Sequence, residues 1–359
     1  MPTPLEFSKK KLDILIQKQR VDMYKPIQIA EILYHARTQK DLTLEDLKSN
    51  LESYRNISKK WRDNITLRLV GHFSTSSQKY QDNLFEANAI PPDVLYILAD
   101  ENQKYKGVVE RYIYQQFRER QKRILRLAKL LDNASTSNFK LQSFLNEFIT
   151  DKGIRRSIDK AYEIVVYALF DTLVKHLRVQ ITLSTDNSKI QLLQEFEEFA
   201  KAVLGIDSKT PRLIIGAKVY RAGATNAADR GLDMWANFGP VVQVKHLSLS
   251  EDLAEDISDS VDADRIVIVC KDAERMTYER VLKQLGQRVQ AIIVESQLVQ
   301  WYEKALRGKY SSELGNDLLN CLKQEFKNEF PYSDSFEDFY KEREYDKVPK
   351  SNSIFWQAD

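Results

Sequence analysis

The sequence is poor in the residues that mark several common protein classes. Two cysteines in 359 residues, Cys270 and Cys321, exclude a thiolate zinc cluster and a disulfide framework, and they fit a reducing cytoplasm. There are only four histidines, and His35, His72 and His176 show no metal-ligand spacing. The longest purely apolar stretches, such as 164–166 and 266–270, run a few residues, far short of a membrane span. The first eleven residues lack the apolar segment of a secretory signal. At 43% hydrophobic and 30% charged, the chain is neither low-complexity nor collagen-like. It is long enough for two or three domains.

A net charge of +2 is also little, but it averages unlike segments. Residues 1–150 carry 25 basic and 18 acidic groups, and residues 201–250 carry 7 and 3. Residues 251–359 carry 15 and 23. A polyanion-binding surface is therefore expected within the first 250 residues, away from the acidic tail.

The first half reads as helical. Thr43–Asp46 has the form of a capping box, followed by Leu44, Leu47, Leu51 and Tyr54 at helical spacing. Residues 106–131 predict a helix whose polar face carries Arg111, Arg118, Arg120, Lys122, Arg123, Arg126 and Lys129. Residues 154–177 predict a buried helix. Beyond about residue 185 the texture changes. A helix at 191–204 precedes strands at 212–220, 232–238 and 241–249, then a helix at 250–261 and a strand at 265–270. Helix 277–285, strand 289–294 and helix 297–306 are appended. The first three strands need only tight connections and should form an antiparallel meander; the later ones should lie parallel to a neighbour. The expected organisation is a mainly helical recognition and dimerisation region at 1–185, an αβββαβ mixed-sheet catalytic domain at 186–330, and an acidic, aromatic tail at 331–359.

Chemistry concentrates on two of these strands. If they pair through Gly239-Pro240, Asp233 comes close to Gln243 and Lys245, which share one strand face. A carboxylate and an amide oxygen are hard ligands for Mg²⁺, and a lysine beside them can position or help deprotonate a water attacking phosphorus. His246 falls on the opposite strand face, which favours a structural role.

This block, 228–246, resembles the active site of type II restriction endonucleases of the PD-(D/E)xK superfamily. With 54–63 and 74–82 added, the chain resembles the HaeII family over most of its length. The resemblance implies an Mg²⁺-dependent homodimer that cuts double-stranded DNA at a short palindrome, RGCGCY, with a cognate methyltransferase as functional counterpart. Two departures stand out. Leu232 precedes Asp233 where the family name has proline, and Gln243 stands where a second carboxylate is usual. In this superfamily the helix before the meander often lends an acid. On helix 191–204, Phe196 and Phe199 mark the expected buried side, which favours Glu198 and then Glu195 as additional metal ligands. Asp229 is a further candidate.

For DNA contacts the candidates are Arg221, Asn226 and Arg230 near the site, which could reach base edges. Ser74, Ser76 and Lys79 in a polar loop, and Arg118 and Lys122 on the basic helix, suit phosphates. A plain loop and a solvated helix face explain the same residues nearly as well. Two rival functions share the pattern: an Mrr-like or repair nuclease of the same core, and a non-catalytic DNA-binding protein with a vestigial core.

Overall fold

The computed structural model describes residues 2–38, 42–71, 73, 83–222, 232–261, 263–285, 288–332, 335–348 and 355–356. Seven strands are described: β1 (Gln180–Ser184), β2 (Arg212–Gly216), β3 (Val219–Arg221), β4 (Met234–Ala236), β5 (Val241–Lys245), β6 (Ile266–Cys270) and β7 (Val289–Val294). The last five form one mixed sheet in the order β3-β4-β5-β6-β7. Its first three strands are an antiparallel meander, and β5, β6 and β7 run parallel.

The central strands follow from their sequences. β5 (VVQVK) and β6 (IVIVC) are almost continuous β-branched runs, as strands covered on both faces require. One face, with Val242, Val244, Val267 and Val269, packs on helices Ile158–His176, Glu295–Arg307 and Ser311–Glu329. The other, with Val241, Ile266, Ile268 and Cys270, is covered by helices Glu251–Ser260 and Arg275–Leu285.

The first expected strand, 212–220, is split. β2 pairs with β1 in a separate two-stranded sheet, while β3 joins the main sheet. Asn237 holds the break between them. Its Oδ1 accepts from the Lys218 N–H at 2.8 Å and its Nδ2 donates to the Gly216 carbonyl at 3.1 Å. The helix preceding the meander and packed on it is consequently Ile158–His176. The stretch expected as helix 191–204 is helical but irregular, Ile190–Glu195 and Glu197–Phe199 running into a π turn, Ala200–Leu204, and it belongs to an inserted unit rather than to the cover of the main sheet.

The N-terminal helices, from Pro4–Gln17 to the first turns of Val108–Asp132, enclose a second core, and the tail closes onto it. Arg343 pairs with buried Glu31 at 2.9 Å, and the Tyr345 hydroxyl donates to buried Glu110 at 2.9 Å. Among the described residues no helix is long and apolar enough to cross a membrane.

Candidate active site

The β4–β5 hairpin turns at Gly239, whose φ of +114° is the left-handed region that glycine adopts without strain. A Cβ there would lie 2.2 Å from the Arg265 guanidinium, which caps the turn by donating to the Phe238 carbonyl. The register is Met234 opposite Val242 and Trp235 opposite Val241. Continued by one residue, it sets Asp233 opposite Gln243, and the Asp233 Oδ2 accepts from the Val244 N–H at 2.7 Å. Asp233 is half-buried, Gln243 is 2% exposed, and Lys245 is half-buried at the end of β5. Three of the expected residues thus stand together at one end of an interior strand pair.

A fourth element completes the cluster. Helix Ile158–His176 crosses the meander and β5, and its first turns bring Asp159, Lys160 and Glu163. Glu163 is buried and pairs with Lys160 at 2.7 Å. Burial pushes its carboxyl up to about 7, with the charges of Asp233 and Glu329 adding to the rise and Lys160 opposing it. Burial also raises the Asp233 carboxyl above the usual range. The Val244 N–H, Lys245 and Lys160 pull it back, and Asp159 pushes it further up. Two carboxyls that resist ionisation because they are desolvated and close are groups a divalent cation would relieve.

Among the described residues, no three of His, Cys, Asp and Glu converge as a closed metal cage. Mg²⁺ does not ask for one: it binds through one or two carboxylates and fills the remaining positions with water and substrate phosphate oxygens. Asp233 and Glu163, close enough for the charge of one to act on the other, fit that requirement.

The helix acids expected from the sequence lie elsewhere. Glu195 and Glu198 are exposed on the inserted unit, which packs through Leu193, Ala200 and Ile206. Phe196 and Phe199, expected to be buried there, are exposed. The helix that does cover the meander carries Glu163, beside Asp233. Its signal in the sequence was a lone carboxylate within a run of apolar residues, Ala161 to Phe170, where unpaired acids are rare.

His246, just beyond the last residue of β5, turns toward helix Ile158–His176, the face opposite Lys245 that strand alternation gives it. Its Nδ1 is hydrogen-bonded to Asp159, at the border of the same cluster.

Of the proposed DNA contacts, Asn226 and Arg230, the candidate ligand Asp229, and Ser74, Ser76 and Lys79 lie outside the described residues. Arg221 is not available for base edges. Its side chain is 7% exposed, bonded to Glu325 at 2.8 Å and Glu329 at 2.6 Å, with Glu163 at 3.9 Å. The basic helix face is also partly structural. Arg120 is buried and donates to the Ile16, Gln19 and Arg20 carbonyls, closing the end of the first helix, and Arg111 donates to the Val348 carbonyl. Arg118 pairs with Glu337 and Lys122 with Glu119, both in partly exposed pairs that a phosphate could displace. The sequence reading also missed the exposed, stacked pair Tyr220 and Trp235, with ring centroids 4.1 Å apart. Trp235, two residues from Asp233, stands on the same side of its strand.

The family model of the HaeII restriction endonuclease matches residues 8–345. The type II restriction enzyme HaeII of Haemophilus aegyptius is 49% identical over 348 residues, covering 96% of this chain and 98% of that one. The type II restriction enzyme NgoBI of Neisseria gonorrhoeae is 49% identical over 344 residues, covering 94% and 96%. No solved structure matches. With a family match over nearly its whole length and two full-length relatives at this identity, the chain belongs to the HaeII restriction endonuclease family and is a site-specific deoxyribonuclease.

Proposed function

We propose that the chain hydrolyses double-stranded DNA with Mg²⁺ through a PD-(D/E)xK-type site made of Asp233, Gln243, Lys245 and Glu163. It would cut RGCGCY as a homodimer in the cytoplasm, where a methyltransferase shields the host's own copies. The observation that carries the reading is the meeting of Asp233, Gln243 and Lys245 on paired strands, with Glu163 supplied by the helix across them. Gln243 leaves the strand pair one carboxylate short, and Glu163 restores the missing negative charge.

Each group has a task that its position allows. Asp233, Glu163 and the Gln243 carbonyl would hold the ion. When bound, Mg²⁺ supplies positive charge against the phosphoryl oxygens as phosphorus becomes five-coordinate. The Val244 N–H fixes the Asp233 carboxylate, so little reorganisation is needed for it to face a cation. Lys160 holds Glu163 in place and, with Lys245, limits the repulsion between the two acids. Lys245 is placed to orient the attacking water and to neutralise charge that grows on the phosphate. Asp159 fixes the His246 ring at the edge of the site. Lys122 and Arg118 would exchange their surface carboxylate partners for DNA phosphates, which positions the duplex without reading it.

Digestion of a sequenced phage DNA with Mg²⁺, followed by sequencing of the fragment ends, tests this reading. Ends confined to RGCGCY support it. Ends at another fixed sequence reject the specificity, and intact DNA rejects the function.

A further inference from the structure

The inserted unit between helix Ile158–His176 and β3 is built inside out. Its own core comprises Leu193, Ala200 and Ile206, flanked by Ile190 and Leu213. Its outer surface carries larger apolar side chains than its small core does. Leu192, Phe196, Phe199 and Val203 are each between 56% and 63% exposed, Leu177 is 72% exposed and Ile214 50%. At such exposures the first four present on the order of 500 Å² of apolar surface, about the size of the largest patch on an ordinary monomer. The hairpin residues add to it.

We infer that this unit is the dimerisation arm, and that its occupant is the same unit of a second copy of the chain. Two observations select that occupant. The exposed seam is spaced 4-3-4 (192, 196, 199, 203), which reads the same from either end. Two copies laid antiparallel about a two-fold axis bring Leu192 of one against Val203 of the other, and Phe196 against Phe199. This is the self-complementarity that an isologous interface requires. Finally, the four seam residues counted on both copies bury on the order of 1,000 Å², the threshold for a specific interface, and the hairpin residues carry the total towards the standard size.

The arm's place in the chain gives it a function. It leaves from the C-terminal end of the helix that carries Glu163 and returns into β3, the edge strand of the catalytic sheet. Asn237, the first residue after β4, ties the return point to the hairpin. Two paired arms would therefore fix the spacing of two active sites. This inference rests on the proposed cleavage of a palindrome, whose two equivalent strands call for two such sites.

Sedimentation of the full chain, without DNA or metal, tests the arm independently of cleavage. The wild-type protein is expected to sediment at the mass of two chains at micromolar concentration. Phe196→Glu with Phe199→Glu should sediment as one chain, its association weakened by roughly a hundredfold or more. Phe196→Leu with Phe199→Leu should remain a dimer. A second measurement needs no variant: hydrogen exchange of amides 190–204 in the wild-type chain should accelerate on dilution. A wild-type monomer, a charged variant with unchanged circular dichroism that still dimerises, or exchange independent of concentration would each overturn the inference. A monomer that still cuts specifically refutes the arm alone; a dimer that does not cut refutes the nuclease reading alone.

Discussion

Glu163→Gln separates a metal-binding acid from a structural one, because the two roles predict opposite changes in stability. The Glu163 carboxyl lies at about 7 against an ordinary 4.5, raised first by burial and then by Asp233 and Glu329. A raised pKa means that the folded chain holds the proton more tightly than the unfolded one. Stability from this group is therefore complete below about 4.5 and is lost as pH rises through about 7. Above that, the ionised carboxylate costs the metal-free protein on the order of 3 kcal/mol. Glutamine keeps the shape and removes the charge. In thermal melts with chelator at pH 8 the variant should be more stable than wild type, by roughly 5 °C for a chain of this size. Near pH 4.5 the two should coincide. Added Mg²⁺ should stabilise wild type at pH 8 and leave the variant nearly unmoved, while DNA cleavage falls sharply. A variant that melts lower than wild type at pH 8 would refute the reasoning, since the Lys160 and Arg221 contacts would then outweigh the cost of the buried charge.

Other consequences follow from single contacts. Arg221→Ala should destabilise the protein by about 3–5 kcal/mol, because it strands Glu325 and Glu329, both little exposed; chemical denaturation reads this, and a stable variant with altered site preference would contradict the buried-cluster assignment. Gly239→Ala should cost about 1–3 kcal/mol through its left-handed backbone and the approach to Arg265, lowering both melting temperature and activity; an unchanged melt would contradict it. Trp235→Ala should leave the melt within about 0.5 kcal/mol of wild type, as an exposed position does, while weakening DNA binding measured by fluorescence anisotropy; unaltered affinity would remove the Tyr220–Trp235 pair from the DNA surface.

The legible parts of the sequence were those where a local pattern determines the structure. β5, β6 and β7 are short β-branched runs between turn signals, and they occupy 241–245, 266–270 and 289–294 within a few residues of expectation. The pairing of β4 with β5 was legible because Gly239-Pro240 leaves room only for a tight turn. What local pattern could not show was which helix covers the sheet. Helix 191–204 precedes the strands in sequence and carries two phenylalanines, so it reads as the natural cover. Yet β2 turns away to pair with β1, and a side-chain amide, Asn237, marks the change of sheet. Such a switch depends on tertiary hydrogen bonds rather than periodicity. The same limit hid Glu163, whose place near Asp233, 70 positions away, no local pattern shows. It also made the basic helix look like one continuous solvated face, when Arg111 and Arg120 are buried and donate to the carbonyls of other segments. Exposed Phe196 and Phe199 carry the converse lesson: an apolar stripe predicts a buried face, but the surface that buries it can belong to another molecule.

The central claim is that Asp233 and Lys245 carry the chemistry. Single-turnover cleavage of a DNA duplex containing one RGCGCY site, with Mg²⁺ and saturating protein, tests it most directly when wild type is compared with Asp233→Asn and Lys245→Ala. Circular dichroism and DNA-binding measurements serve as controls. The account predicts that both variants fold and bind DNA but cut more slowly by roughly 10² to 10³ or more. If either variant, folded and bound to DNA, cuts at the wild-type rate, the site lies elsewhere.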